Sequence, residues 1–233
     1  MKLEITRIRN LKDLLLSAQN HLSRIPWLIT LNLLAIIALI VLGSYAKIQG
    51  KGRGLVGLFS DPFYSNYFYL GWLTGVSEII WCVAIAVCLF TVTLLPKFHR
   101  KKVFFLTSGL LMTLLYIDDR FRLTLIMGAV FSSFNYVKAT IYLIYGGLMV
   151  AYGKKFWSVI ARTPYFPLLA AFVLFGFSSA IDITPLPNKA AHALLEDGTK
   201  LIGIINLTIY FWYICYCEIA RSIQKGISSS SKS

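Results

Sequence analysis

Charge is scarce in this chain of 233 residues, and acid is scarcest: 14% of residues are charged, ten of them acidic. An ordinary soluble domain is about a quarter charged, so this chain has too little charge to clothe a water-facing globule. Cysteine is also rare, and Cys82, Cys88, Cys215 and Cys217 all fall inside apolar runs. No loop pair is offered to an oxidising compartment, and no Cys/His spacing resembles a zinc knuckle. The three histidines, His21, His99 and His192, avoid the apolar runs, which excludes a histidine-ligated haem within a bilayer. A glycine-rich phosphate loop, His-Glu-x-x-His and Gly-x-Ser-x-Gly are all missing, so the usual nucleotide-binding, zinc-protease and hydrolase signatures do not apply. No repeat of solenoid period is visible.

What the chain has is length of apolar run. Hydrophobic residues make up 57%, in blocks near the roughly 17–25 residues that cross about 30 Å of hydrocarbon. The blocks predict spans at 27–46, 67–95, 103–117, about 133–152, 164–183 and 201–219. The fold class is therefore all-α: a polytopic membrane helix bundle of about six transmembrane helices plus an N-terminal amphipathic helix. Residues 1–26 carry Leu3, Ile5, Ile8, Leu11, Leu14 and Leu15 at mostly helical spacing, with Lys2, Arg7, Arg9 and Lys12 between them. This reads as a basic interfacial helix rather than a signal peptide. The bundle occupies 27–220, and the serine-rich 221–233 reads as a disordered cytoplasmic tail.

Punctuation sets the joints. Residues 47–66 read as a glycine-rich loop, followed by the interfacial aromatics Tyr67, Phe68, Tyr69 and Trp72. Gly71-x-x-x-Gly75 offers a small-residue face for close helix approach. Residues 123–133 are too short for a span and read as an interfacial or re-entrant piece. Asn188 is placed to cap the last helix. A straight helix over 189–224 would reach about 54 Å, so Gly198 is the predicted break.

The net charge of +13 would raise nucleic acid as a partner in a soluble protein. Here the bases flank the spans, as the cytoplasmic bias requires, and no nucleic-acid partner is expected. With the N-terminus cytoplasmic, Lys and Arg concentrate before the first span, after the second and fourth, and at the tail. This predicts cytoplasmic N- and C-termini, against the contrary weight of Lys47, Lys51 and Arg53. In that frame Asp61, Glu78, Asp118, Asp119, Asp182, Glu196 and Asp197 all fall in the outer half of the membrane or just beyond. The positive-inside rule does not require this of acids.

Two knots dominate that cluster. Asp118-Asp119-Arg120-Phe121-Arg122 closes one apolar run, and His192-x-x-x-Glu196-Asp197-x-x-Lys200 opens another. Adjacent carboxylates repel, and at a helix C-terminus negative charge is disfavoured, so Asp118 and Asp119 need partners: Arg120, Arg122, Lys138 or Lys200. His192 and Glu196, four apart, share a helix face and are placed to share a proton or a metal. Glu196 and Lys200 are equally placed for a plain ion pair. A metal at His192 and Asp197 needs three or four ligands in all, which only the Asp118-Asp119 knot or Asp182 could complete. Glu78 and Lys138 lie within spans, where ionisable groups face a partner, a bundle interior or a water-filled cavity. Asn32 and Asn206 read as interhelical hydrogen bonds.

The two knots resemble motifs of small, uncharacterised bacterial multi-pass membrane proteins. In those an Asp-Asp pair follows an apolar helix and a Glu-(Glu/Asp)-Gly-x-Lys-x-x-Gly segment opens a later one. Here these are Asp118-Asp119 and Glu196-Asp197-Gly198-Thr199-Lys200-Leu201-Ile202-Gly203. The resemblance implies a membrane family without an assigned reaction. The His-Glu pair that often follows the Asp-Asp there is replaced by Thr124-Leu125. The alkaline ceramidase class is a more distant likeness whose intramembrane histidine ligands are missing here.

The expected function is small-ion or proton-linked transport or sensing. Its ion- or proton-binding candidates are Glu78, Asp118, Asp119, Lys138, Glu196 and Lys200. One alternative is a membrane-embedded hydrolase or transferase on a lipid headgroup, with Asp119 and Glu196 as acid and base and a divalent cation as cofactor. Another is an accessory or assembly subunit of a larger membrane complex. Its partners are the lipid bilayer and either a second copy or a membrane-complex subunit.

Overall fold

A computed structural model describes residues 26–59, 71–95, 101–121, 123–130, 134–184 and 186–230. Their regular structure is entirely helical, with no strand among the described residues. The helices are α1 (Pro26–Ile48), α2 (Gly52–Leu58), α3 (Trp72–Leu94), α4 (Lys102–Phe121), α5 (Leu123–Val130), α6 (Phe134–Ile160), α7 (Phe166–Ile183) and α8 (Lys189–Ser230). The basic amphipathic segment read over 1–26 lies, apart from Pro26, outside the described residues.

Four stretches are long and apolar enough to cross a membrane: Trp27–Ile48, Trp72–Leu94, Phe166–Ile183 and Lys189–Gln224. Their outward faces are apolar, with Leu34 and Ile40 of α1 and Phe90 of α3 each about 60% exposed. Helices α4 and α6 have 20 and 27 residues, but Asp118, Asp119 and Arg120 end the first, and Lys138, Lys154 and Lys155 interrupt the second.

Local chemistry explains several boundaries. Pro26 starts α1, where its missing N–H costs nothing. Leu95 turns extended (φ −78°, ψ 141°) after α3, as a residue before proline must. Gly71 precedes α3 at φ 79°, a left-handed conformation open to glycine, and donates its N–H to the Gly57 carbonyl at 2.9 Å. That bond ties α2 to the head of α3. The Asn188 side chain accepts from the N–H groups of Ala190 and Ala191 at 3.0 and 3.2 Å, the N-cap its position predicts.

Helix α8 is the axis on which α1, α2, α3 and α7 pack. Ile204, Leu207, Tyr210, Phe211, Ile214 and Cys215 recur at helical spacing and are buried with Trp81, Cys88, Phe104, Phe105 and Ala171. Gly203 admits the Phe175 ring, which an added methyl would meet at 3.1 Å, and Gly109 does the same for Leu89 at 2.9 Å. These are the close helix approaches. A Cβ on Gly75 would meet nothing within 4 Å, so the Gly71-x-x-x-Gly75 reading is corrected. Tyr152 anchors α6 to α4 by a 2.6 Å hydrogen bond with Ser108 and by stacking on Phe104.

Other elements differ from the sequence reading. Helix α8 runs unbroken through Gly198 for 42 residues, about 63 Å. Gly198 instead makes room for Leu39 of α1, whose Cδ1 would lie 3.3 Å from an added Cβ. Packing along its length replaces the break. The same helix continues to Ser230 where the serine-rich composition predicts a disordered tail. The 47–66 loop contains α2, whose Leu55 is buried with Ala46, Phe59 and Ala193. Helix α6 extends past Tyr152 to Ile160, with the Lys155 ammonium 5.5 Å from the Phe156 ring centre.

Asn32 and Asn206 exchange amide hydrogen bonds between α1 and α8 at 2.7 and 3.2 Å. Removing one amide leaves the other without its interhelical partner. Asn206→Ala is expected to destabilise the bundle by about 0.6–2 kcal/mol. The double replacement Asn32→Leu with Asn206→Leu is expected to restore most of that loss. Reversible unfolding in mixed micelles measures both.

Candidate functional site

One end of the bundle collects the head of α3, the foot of α4, the head of α6, the foot of α7 and the head of α8. Between them lies a cavity of about 1160 Å³. Glu78, Asp118, Asp119, Lys138, Glu196 and Lys200 all line it, joined by Asp182, Asp197 and Arg120. The six candidates singled out from the sequence therefore share one space, although they come from four helices.

Their geometry is that of cross-linked pairs. The Lys200 ammonium of α8 donates to the Asp119 carboxylate of α4, which joins the two knots directly. Arg120 donates to Glu78 of α3 at 2.8 Å. Lys138 of α6 donates to Asp182 of α7 at 2.8 Å, and the Tyr142 hydroxyl donates to the other oxygen of that carboxylate at 2.6 Å. Within α8, His192 Nε2 lies 3.2 Å from Glu196 Oε2, the pair predicted from spacing. The Ser178 hydroxyl donates to the Glu196 carbonyl at 2.9 Å, holding α7 against α8. Side chains of the three interhelical pairs are between 15 and 31% exposed. Removing one member of such a pair strands its partner's charge.

Several expectations resolve here. Lys200 pairs with Asp119 rather than with Glu196. Arg120 reaches across to Glu78 on α3. Arg122 lies outside the described residues. His192 is not among the residues lining the cavity; it borders it through Glu196. No group of three or more His, Cys, Asp or Glu among the described residues is arranged to hold a metal ion. The metal reading for His192 and Asp197 thus finds no further ligands there.

The sequence reading misses three residues. Tyr142 and Tyr145 line the cavity, and their signal is a stripe on α6 at helical spacing: Lys138, Tyr142, Tyr145, Met149, Tyr152. Trp81 also lines it, 2% exposed and stacked on Phe175 at 5.9 Å between ring centres. Among the described residues its indole N–H has no hydrogen-bond partner. At the opposite end of the bundle, Glu218 is buried and pairs with Lys101 at 2.5 Å and Arg221 at 3.6 Å.

A family described as a domain of unknown function (DUF8692) matches residues 27–214, from α1 through most of α8. The chain belongs to this family. No curated protein and no solved structure matches it.

Asp119→Asn and Lys200→Met are each expected to weaken the bundle, and their losses are not expected to add. A double-mutant cycle on unfolding in micelles should give a coupling of about 0.5–3 kcal/mol. Additive losses would mean that the two side chains do not meet.

Proposed function

We propose that this member of the DUF8692 family is an integral membrane protein of six spans whose cavity serves small-ion or proton-linked transport or sensing. The direction of the helices supports the count. Ala46 near the end of α1 packs beside Ala193 near the start of α8, so α1, α4 and α7 run toward the cavity end. Helices α3, α6 and α8 start there and run away. With α4 and α6 counted as spans, both termini of the bundle lie on one side. The lysine and arginine bias makes that side cytoplasmic, and the cavity then faces outward. The polar groups of α4 and α6 sit at the helix ends and around the cavity, where a bundle accommodates ionisable side chains.

The observation that carries the activity is the set of three interhelical ion pairs around one space: Glu78 with Arg120, Asp119 with Lys200, and Asp182 with Lys138. A cation or proton reaching one of these carboxylates competes with the resident Lys or Arg. Each successful exchange loosens one helix from another, and so converts binding into a shift between helix arrangements. Helix α6 is suited to move. It is latched to α7 by Lys138 and Tyr142 and anchored far away at Tyr152. Between them, Gly146 and Gly147 have no packed neighbour within 4 Å of a would-be Cβ.

Flux of protons and of alkali cations into liposomes holding the purified chain tests the reading. Asp119→Asn and Glu196→Gln are each expected to cut flux at least tenfold, with the protein still folded. Equal flux for the wild type, both variants and empty liposomes would overturn it.

A further inference from the structure

We propose that the cavity binds a bilayer-borne amphiphile with a cationic amine head. The head would sit among the carboxylates and the apolar tail along α6 and α7. This deepens the preceding reading and rests on its membrane setting.

Size is the first argument. A water molecule's share of liquid volume is about 30 Å³, so a bare or hydrated cation uses a small part of about 1160 Å³. Organic ligands occupy pockets of roughly 300–1,000 Å³. The lining on α6 runs from Lys138 to Gly153, about 22 Å along the axis. The space is therefore long as well as large.

Its two ends differ in chemistry. Six carboxylates and three cationic side chains line it among the described residues, so the polar end carries an excess of negative charge and is complementary to a cationic head. Deeper along α6 and α7 the wall is apolar: Leu143, Met149, Val150, Phe172 and Phe175. An inorganic cation has no use for that wall, and an uncharged lipid has no use for the acids. An amine amphiphile uses both.

Trp81 marks the junction of the two ends. It lies three residues beyond Glu78 on α3, about one turn deeper, where charged rim gives way to apolar wall. Trp81 is 2% exposed and lines the cavity. The wall is also kept clear: Gly146, Gly153 and Gly176 line the cavity, and a Cβ at any of them would meet nothing within 4 Å.

Native mass spectrometry of the full chain released from phosphatidylcholine nanodiscs can count bound probes. The probes are dodecylamine, dodecanol with the same tail and no charge, and methylamine with the head and no tail. We expect one dodecylamine per chain, held at least tenfold more tightly than either of the others. Gly153→Leu with Gly176→Leu extends into the wall from two positions where an added Cβ meets nothing within 4 Å and adds helix propensity. It should lower dodecylamine occupancy at least tenfold and leave proton and cation flux in place. Asp118→Asn with Glu196→Gln should lower it similarly. Dodecanol binding as tightly as dodecylamine would overturn the cationic head. Methylamine binding as tightly as dodecylamine, or full occupancy in the glycine variant, would overturn the tail site and leave the ion reading standing. Saturable dodecylamine binding by a protein without flux would uphold this inference and remove transport alone.

Discussion

The bond between Lys200 and Asp119 is the constraint on which the site depends. It joins the head of α8 to the foot of α4 and so brings together two knots 81 residues apart in sequence. Helix α8 is the axis of the bundle, so fixing its head against α4 orients Glu196 and Asp197 toward the same space. The Arg120 pair then carries the link to α3. Lys138 and Tyr142 extend the rim to α6 through Asp182 on α7. Each of these contacts is ordinary alone. Together they close a ring of charge around a volume that the apolar faces of α3, α6 and α7 complete.

Stability does not explain the ring well. A buried ion pair gives up most of its attraction to desolvation, and apolar residues of the same shape often hold a fold equally firmly. The rest of this bundle is held that way. Leu207, Tyr210 and Phe211 interdigitate with Phe104, Phe105 and Ala171, and single polar bonds such as Ser108 to Tyr152 set their register. The charges are confined to two ends, where Glu218 with Lys101 forms a small closed cluster and the knots form an open one. In the function proposed above, an open cluster of paired charges exchanges partners, and that property would link the geometry to a binding role.

Much of this was legible in the residues. Long apolar runs mark the helices because a lipid-facing helix must satisfy its backbone internally and show hydrocarbon outward. Asn188 shows its cap and His192 its Glu196 through spacing alone. The convergence of the acids follows from their shared end of an alternating bundle. Partner choice is another matter. Whether Lys200 takes Glu196 on its own helix or Asp119 on another depends on side-chain reach across a gap that no local pattern encodes. Gly198 illustrates the same limit: glycine within a helix reads as a break or as a close approach, and only Leu39 of the facing α1 decides for the second. The length of α6 was hidden by Lys154 and Lys155, which resemble a loop until the Lys155 ammonium is seen over the Phe156 ring. Trp81 was unreadable because a buried indole with a partner and one without have the same sequence.

The central claim is that the two knots meet. Asp119→Cys with Lys200→Cys, in a chain whose four native cysteines are replaced by alanine, tests it in native membranes with a short bifunctional thiol reagent. Rapid cross-linking is expected of this pair and none of Asp119→Cys with Arg221→Cys, at the opposite end of α8. Failure of the first pair to cross-link while the protein remains folded, or equal cross-linking of both pairs, would contradict it.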